Sequence, residues 1–343
     1  MKRRSAMGNV SVVTSVRDLE HFRDSWEYWA QENRTDSIYL TYSWAMACLL
    51  NPKRHIRIIL QYDKGTLKAV YPFEIQKKAG FRVLQPLGNG FGHRFASFPL
   101  FYPTDALFSL LRRQCPYDIL YWNYFYTEEK NIISLPHIYW KPLSDELVIS
   151  LNPPVSEILG SLSPSMKENL ARRIRNIERD LGALSLEQVR PGETDTHLNR
   201  LFKFNAERFA ARNQRSYFID EENRRFFFRL LASLPPDFYR FYVLKGGENI
   251  LAYRLAYRTG RQLQLRLLAY DYSLKKYSLS HSLLKLIIEK AREEGFSSLS
   301  FMSGHEPFKY SWNPDSFPRY SLVAIPAFRA RIRYMINPRK VFE

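Results

Sequence analysis

Twice along this chain, three β-rich runs separated by short polar turns are followed by a helix and one further strand. That order restricts the fold more than any other feature. In the first half the runs are residues 55–62, 67–75 and 81–87, joined through Asp63-Lys64-Gly65 and Lys77-Lys78-Ala79-Gly80. In the second half they are 238–244, 250–258 and 262–270, joined through Gly246-Gly247-Glu248-Asn249 and Thr259-Gly260. Short Gly-containing turns between such runs are hairpin signals, so each set reads as an antiparallel three-stranded meander. The first is followed by a short helix near 105–113 and a strand over 117–122, the second by a helix over 279–294 and a strand over 297–302. The fold class is therefore α+β, two related units in tandem, each a mixed, mostly antiparallel sheet flanked by helices. A length of 343 residues fits two domains. We place the boundary at Asn152-Pro153-Pro154, giving an N-terminal unit over 1–152 and a C-terminal unit over 153–343.

Helices fill the remainder. Leu19, Phe22, Trp26 and Trp29 form one helical pattern, and 44–50 forms another, stopped by Pro52. In the second half, 165–181 carries Leu170, Ile174, Ile177 and Leu181 on one face and ends at Gly182. Two more helices are expected over 196–212 and 221–234, the latter ended by Pro235-Pro236.

Composition narrows the function. The net charge of +17 favours polyanions, whether nucleic acid, anionic lipid or a polyphosphorylated cofactor. Cys48 and Cys115 have no Cys or His companion at metal-ligand spacing, which argues against both a zinc site and a disulfide framework and fits a reducing compartment. No apolar stretch reaches the length of a membrane span, and the basic N-terminus lacks a signal-peptide core, so the expected location is the cytoplasm. The loop Gly88-Asn89-Gly90-Phe91-Gly92-His93 lacks the Lys-Ser/Thr of a P-loop and the spacing of a dinucleotide fingerprint, and reads as a tight turn. The tail over 328–340 carries Arg329, Arg331, Arg333, Arg339 and Lys340. It is either a basic surface tail or a peripheral contact with an anionic membrane.

The chemistry concentrates between Tyr270 and Trp312. The second meander ends at Tyr270, a polar loop follows, and the long helix starts directly after it. The first turn of a helix presents free backbone N–H groups and a positive dipole end, which suit phosphate. Ser278 or Ser280 can act as N-cap, and Lys275 and Lys276 add charge at the same point. Asp271, at the strand end, orients an acceptor or acts as base, or simply forms the turn. His305 and Glu306 follow Gly304 at the end of the last strand, where either can accept a proton or lie on plain surface. Lys309 neutralises an acceptor carboxylate or phosphate, or makes a structural ion pair. Tyr310 and Trp312 wall a pocket or pack. Arg172, Arg173, Arg175 and Arg179 lie opposite their helix's apolar stripe, as a solvated face or as an anion contact.

Ala269-Tyr270-Asp271, Lys276-Tyr277-Ser278, Leu283-Leu284, Ile288 and Ala291 resemble the GNAT-type domain of the CelD-like acyltransferases. The run Phe301-Met302-Ser303-Gly304-His305-Glu306-Pro307-Phe308-Lys309-Tyr310-Ser311-Trp312 resembles that family's Gly-x-Glu-x-Tyr-Lys-x-x-Trp signature. Ser165-Met166-Lys167-Glu168-Asn169-Leu170 with Arg172, Arg173 and Arg175 resembles its basic helix, and Pro72-Phe73 and Leu87-Gly88 fit the same pattern. The similarity runs from about Thr41 to Trp312, and a more distant one is to the Fem-type aminoacyltransferases. The family's Ser-Pro-Gly ahead of the helix is replaced here by Ser278-Leu279-Ser280, and the acid before the Phe of the last strand by Ser300.

The resemblance implies transfer of an acyl group from acyl-coenzyme A, such as acetyl-coenzyme A, to an amine or hydroxyl, without a metal. The acceptor is a small molecule or glycan precursor, in polysaccharide or cell-envelope metabolism. Ser278, Ser280, His281 and Ser282, with Lys275 and Lys276, then hold the donor, its pyrophosphate lying on the helix amides. Lys309, Tyr310, Arg172 and Arg173 contact the acceptor, which enters between the two halves. Glu306, His305 or Asp271 manages the proton. Two alternatives stand beside this: a Fem-like transferase using aminoacyl-tRNA, and a non-catalytic GNAT module that binds a polyanion.

Overall fold

The computed structural model describes residues 10–32, 37–49, 55–88, 105–133 and 137–327, with 330, 331 and 334. They form two compact units, one of residues 1–143 with 318–343 and one of 144–317.

The first unit starts with β1 (Val10–Val13), α1 (Val16–His21), α2 (Arg23–Glu32) and α3 (Tyr42–Leu49). It continues through β2 (His55–Asp63), β3 (Thr66–Lys78), β4 (Phe81–Pro86), α4 (Asp105–Gln114), β5 (Ile119–Tyr126), α5 (Thr127–Ile132) and β6 (Ile138–Pro142). The second holds β7 (Glu146–Ser150), α6 (Val155–Gly160), α7 (Pro164–Leu181), β8 (Leu184–Gln188), α8 (Thr194–Ala210) and α9 (Glu221–Ser233). After these come β9 (Tyr239–Gly246), β10 (Asn249–Thr259), β11 (Gln262–Tyr270), α10 (Leu279–Glu293), β12 (Ser298–Ser303), α11 (Pro307–Tyr310) and β13 (Asp315–Phe317). The chain then returns to the first unit as β14 (Arg319–Ala324).

The fold is mixed α+β, with two mostly antiparallel sheets flanked by helices. Both sheets share one plan. The first runs β1-β2-β3-β4-β5-β14-β6, and the second, from its other edge, β8-β9-β10-β11-β12-β7-β13. In each, four antiparallel strands lead to a short parallel pair, β4 with β5 and β11 with β12. An antiparallel neighbour follows, β14 in one and β7 in the other. Each meander thus has four strands, because the edge strands β1 and β8 add to the three read from sequence.

The domain organisation differs from the sequence reading at two strands. β7, ahead of Asn152, pairs with β12 rather than with the first sheet, and β14 pairs with β5 and β6. Strand partners so far apart in sequence leave no local signal. At the end of β4, Gly88 adopts φ +91°, and a Cβ there would lie 2.5 Å from Cζ2 of the buried Trp44, whose indole N–H donates to the Leu87 carbonyl. That close approach explains the first glycine of the Gly-rich loop. Residues 89–93 lie outside the described residues, as does most of the basic tail; of the tail, Arg331 meets the His137 ring.

In the second unit α7 and α10 cover one face of the sheet. Met166, Leu170 and Ile177 pack with Leu279, Leu283, Leu284, Ile287, Ile288 and Ala291 against Ala252, Ala256, Leu263, Leu265, Leu299 and Phe301. Full burial of such side chains contributes about 1.5–3 kcal/mol each, so the 3.6-residue periodicity suffices to fix both helices. The opposite face is aromatic, with Tyr253 against Phe204 of α8 and Phe241, and Phe202 against Phe218 and Phe227. No described helix is long and apolar enough to cross a membrane.

Candidate active site

The site begins where two parallel strands separate. β11 and β12 pair only over Gln262–Gln264 with Ser298–Ser300. Beyond that, β11 bulges: Leu255 pairs with Leu267 and Ala256 with Leu265, so Arg266 is the extra residue. A bulge bends its strand and redirects the backbone. β12 departs by a different device. The Ser300 hydroxyl accepts the Met302 N–H at 2.9 Å and donates to the buried Glu146 carboxylate on β7. Met302 takes φ +60°, unusual for a long L side chain, and the β7 register shifts between Ser300 and Ser303. A position read as a departure from a family acid is thus a hydroxyl that turns the strand.

The turn carries the chain into Gly304, His305 and Glu306. Gly304 sits at φ +133°, and a Cβ there would overlap Glu306 Oε2 and lie 2.7 Å from Lys309 Nζ. Lys309 is buried, donates to the Ser303 carbonyl at 3.0 Å and pairs with Glu306 at 2.7 Å. Burial lowers the Lys309 pKa, and Glu306 opposes the shift. Burial alone would raise Glu306, but Lys309, the backbone and Arg254 together hold its carboxyl below the usual range. His305 is exposed, 3.4 Å from the Tyr310 hydroxyl.

Across the opening stands the start of α10. Tyr272–Tyr277 forms a 3-10 turn whose first carboxylate, Asp271, accepts from the Ser273 N–H at 2.9 Å and its hydroxyl at 2.6 Å. Asp271 therefore caps this turn, at the edge of an open groove that Arg200, Lys203 and Glu207 of α8 also line. Lys275 and Lys276 are exposed in the turn. The Tyr277 hydroxyl donates to Asp180 on α7 at 3.0 Å and ties the turn to that helix. Ser278 sits in the left-handed region (φ 51°, ψ 48°), and its side chain caps nothing. The first-turn amides of α10 are thus not closed off by a side chain.

The three serines and one histidine assigned to the donor separate here. Ser278 and Ser280 are half-buried, and Ser280 faces the space between the strands. The Ser282 side chain is fully enclosed. His281 stacks on Trp312, whose indole N–H donates to its Nδ1 at 3.2 Å; that bond assigns the ring proton to Nε2. Burial, with Arg173 adding repulsion, pushes His281 down to about 4, so the ring is neutral near pH 7. Arg172 is exposed and donates to Asn169 at 2.6 Å. The Arg173 charge acts on His281, at the α10 start, and its buried Nη1 has no hydrogen-bond partner among the described residues.

Between the diverging strands is a cavity of about 10 Å³, room for about one water molecule. Leu265, Leu268, Leu283, Phe301 and Phe308 line it, with Ser280 and Arg254 as its polar members. Arg254 was missed from sequence, although it carried a signal: it is the one charged residue in the apolar run Leu251–Tyr257.

The family model described as acetyltransferase (GNAT) domain matches residues 164–310. The second unit has a GNAT-type acyltransferase fold. The match runs from the start of α7 to the end of α11 and so includes every residue of the site except Glu146 and Trp312. Among solved structures, FemX is similar at 10% identity, covering 96% of this chain and 99% of its own, with a TM-score of 0.61. L-PGS from Bacillus licheniformis is similar at 14% identity, with 100% of each chain covered and a TM-score of 0.57. The C-terminal domain (DUF2156) of a lysylphosphatidylglycerol synthetase homologue from Agrobacterium fabrum is similar at 13% identity, covering 94% of this chain and 98% of its own, with a TM-score of 0.56. These are likenesses of fold. No curated protein matches the sequence.

Proposed function

We propose that the second unit transfers an acyl group from acyl-coenzyme A to an amine or hydroxyl acceptor. The observation that carries this reading is the start of α10, uncapped by a side chain, with Lys275 and Lys276 in the turn that leads into it and the Arg173 charge acting on His281 of its first turn. Free first-turn amides, a positive dipole end and three cations form a receptor for a pyrophosphate. The buried Nη1 of Arg173 adds a donor that has no hydrogen-bond partner among the described residues.

Acyl-coenzyme A supplies an acyl group already activated as a thioester. The chain supplies position and proton handling. The amides of Leu279 and Ser280 with the lysines hold the phosphates, and a backbone N–H of β11, where that strand parts from β12, faces the developing oxyanion. Glu306, ionised at neutral pH and paired with Lys309 on the loop that follows β12, is the base in this reading. His305, exposed on the same loop, is the alternative proton acceptor. Asp271 is committed to its turn and orients the loop. A direct transfer needs no covalent enzyme intermediate.

Calorimetric titration with coenzyme A and acetyl-coenzyme A tests the reading, beside a Lys275→Ala/Lys276→Ala variant. Binding that weakens in the variant supports it. Absence of binding at millimolar ligand removes it. A second reading, aminoacyl-tRNA as the donor, is favoured by the +17 charge and by the likeness in fold to FemX. Salt-sensitive tRNA binding, without binding of coenzyme A, would install it.

A further inference from the structure

Arg254 is 8% exposed, and its Nε has no hydrogen-bond partner among the described residues. It lies on β10, opposite Leu268 of β11, and its side chain lines the cavity between the diverging strands. The groups whose charges act on it are Arg208, Arg266 and Glu306. Glu306 is already engaged by Lys309 at 2.7 Å. The one carboxylate among the described residues whose charge favours Arg254 is therefore already held by the Lys309 ammonium. Burial lowers Arg254 to about 9, with Arg208 and Arg266 adding repulsion, yet the group stays charged at neutral pH. A buried charge is ordinarily paired, because an unpaired one costs several kcal/mol of solvation. A protein that retains such a group in a cavity beside its reaction site has its missing partner arriving from outside.

We propose that the splay of the second unit receives an anionic oxygen group of a substrate, a carboxylate or a phosphate, and that Arg254 is the residue that pairs with it. This rests on the transferase reading of the same site and narrows its substrates to those carrying an anion next to the reacting group. At about 10 Å³ the cavity takes one oxygen of such a group, and its lining is apolar apart from Arg254 and Ser280, so the rest of the group sits at the mouth of the splay. Two sources fit: a carboxylate on the transferred acyl group, or a carboxylate or phosphate on the acceptor.

Full-length Arg254→Met and Arg254→Lys proteins test it. Without ligand, the Met variant should unfold at the same temperature as wild type or higher, since exchanging an uncompensated buried charge for an apolar isostere is neutral or stabilising. A clear fall would make Arg254 a structural residue and overturn the proposal. Inorganic phosphate and succinate are then titrated against thermal unfolding. Wild type should show a saturable upward shift, roughly 10- to 100-fold weaker in the Met variant and partly retained in the Lys variant. Equal responses of wild type and Met variant, or none in wild type, would overturn it.

Calorimetry with acetyl- and succinyl-coenzyme A separates the sources. A wild-type preference for succinyl-coenzyme A that the Met variant loses puts the anion on the acyl group. Equal binding of both donors, with phosphate or succinate still bound by the coenzyme A complex, puts it on the acceptor. Should neither coenzyme A derivative bind, the donor assignment fails, while the phosphate and succinate titrations still decide the role of Arg254.

Discussion

Replacing Gly304 by alanine separates two costs that the structure superimposes. At φ +133° an L side chain is strained whatever the surrounding space, and such backbone outliers cost roughly 1–3 kcal/mol. The added Cβ would also overlap Glu306 Oε2 and crowd Lys309 Nζ. These atoms are not equally free to move. The Glu306 side chain is 59% exposed and swings into solvent at little cost, whereas that of Lys309 is 7% exposed and cannot follow. The ammonium then keeps only the Ser303 carbonyl. Loss of a bond to a charged partner costs about 1.5–3 kcal/mol at full burial, and less here because water screens the carboxylate.

Backbone strain is therefore the larger part, and the sum is about 2–4 kcal/mol. Gly160→Ala is the control. It has negative φ, no atom within 4 Å of the new Cβ and a position in the last turn of α6, so it should change stability by less than about 1 kcal/mol. Urea unfolding followed by circular dichroism reads both. A Gly304→Ala protein as stable as Gly160→Ala would refute the strain at the strand end and the steric coupling to the Lys309–Glu306 pair.

Other consequences follow from the same geometry. Gly88→Ala in the first unit should cost at least as much as Gly304→Ala, because its Cβ meets the rigid, fully buried Trp44 ring rather than flexible side-chain ends; thermal unfolding of the two variants side by side checks the order. His281 has a folded pKa near 4 against an ordinary 6.5, so the unfolded state binds more protons in between. Its contribution is complete above pH 6.5 and is lost as pH falls towards 4. His281→Gln should flatten that part of the stability profile, and an unchanged slope would contradict the burial of a neutral ring.

Much of the scaffold was legible because its periodicities are local. The apolar stripe of α10 and the stop at Gly182 put two helices within one residue of their observed ends, and β11 spans the expected 262–270. The short edge strands β1 and β8 were not legible, because four or five residues with one half-buried face carry little pattern. The exchange of β7 and β14 depends on pairings between distant segments.

The candidate site divides in the same way. Lys309 and Glu306 stood in a recognisable motif, and the structure joins them. Asp271 and His281 had the right chemistry at the right sequence position, but their side chains are taken up by the turn and by Trp312. Hydrogen-bond partners of that kind are invisible in a linear reading. Arg254 was the reverse case: one charge in an apolar strand, with nothing in the sequence to show that the acid acting on it is held by Lys309.

Hydrogen exchange with and without coenzyme A tests the central claim most directly, because it reports where the donor sits. Peptides covering 271–284, the turn and first helical turns that would hold the pyrophosphate, should gain protection saturably, and the gain should shrink in the Lys275→Ala/Lys276→Ala variant. Protection confined to other segments, or none at ligand concentrations in the millimolar range, would contradict an acyl donor bound at the start of α10.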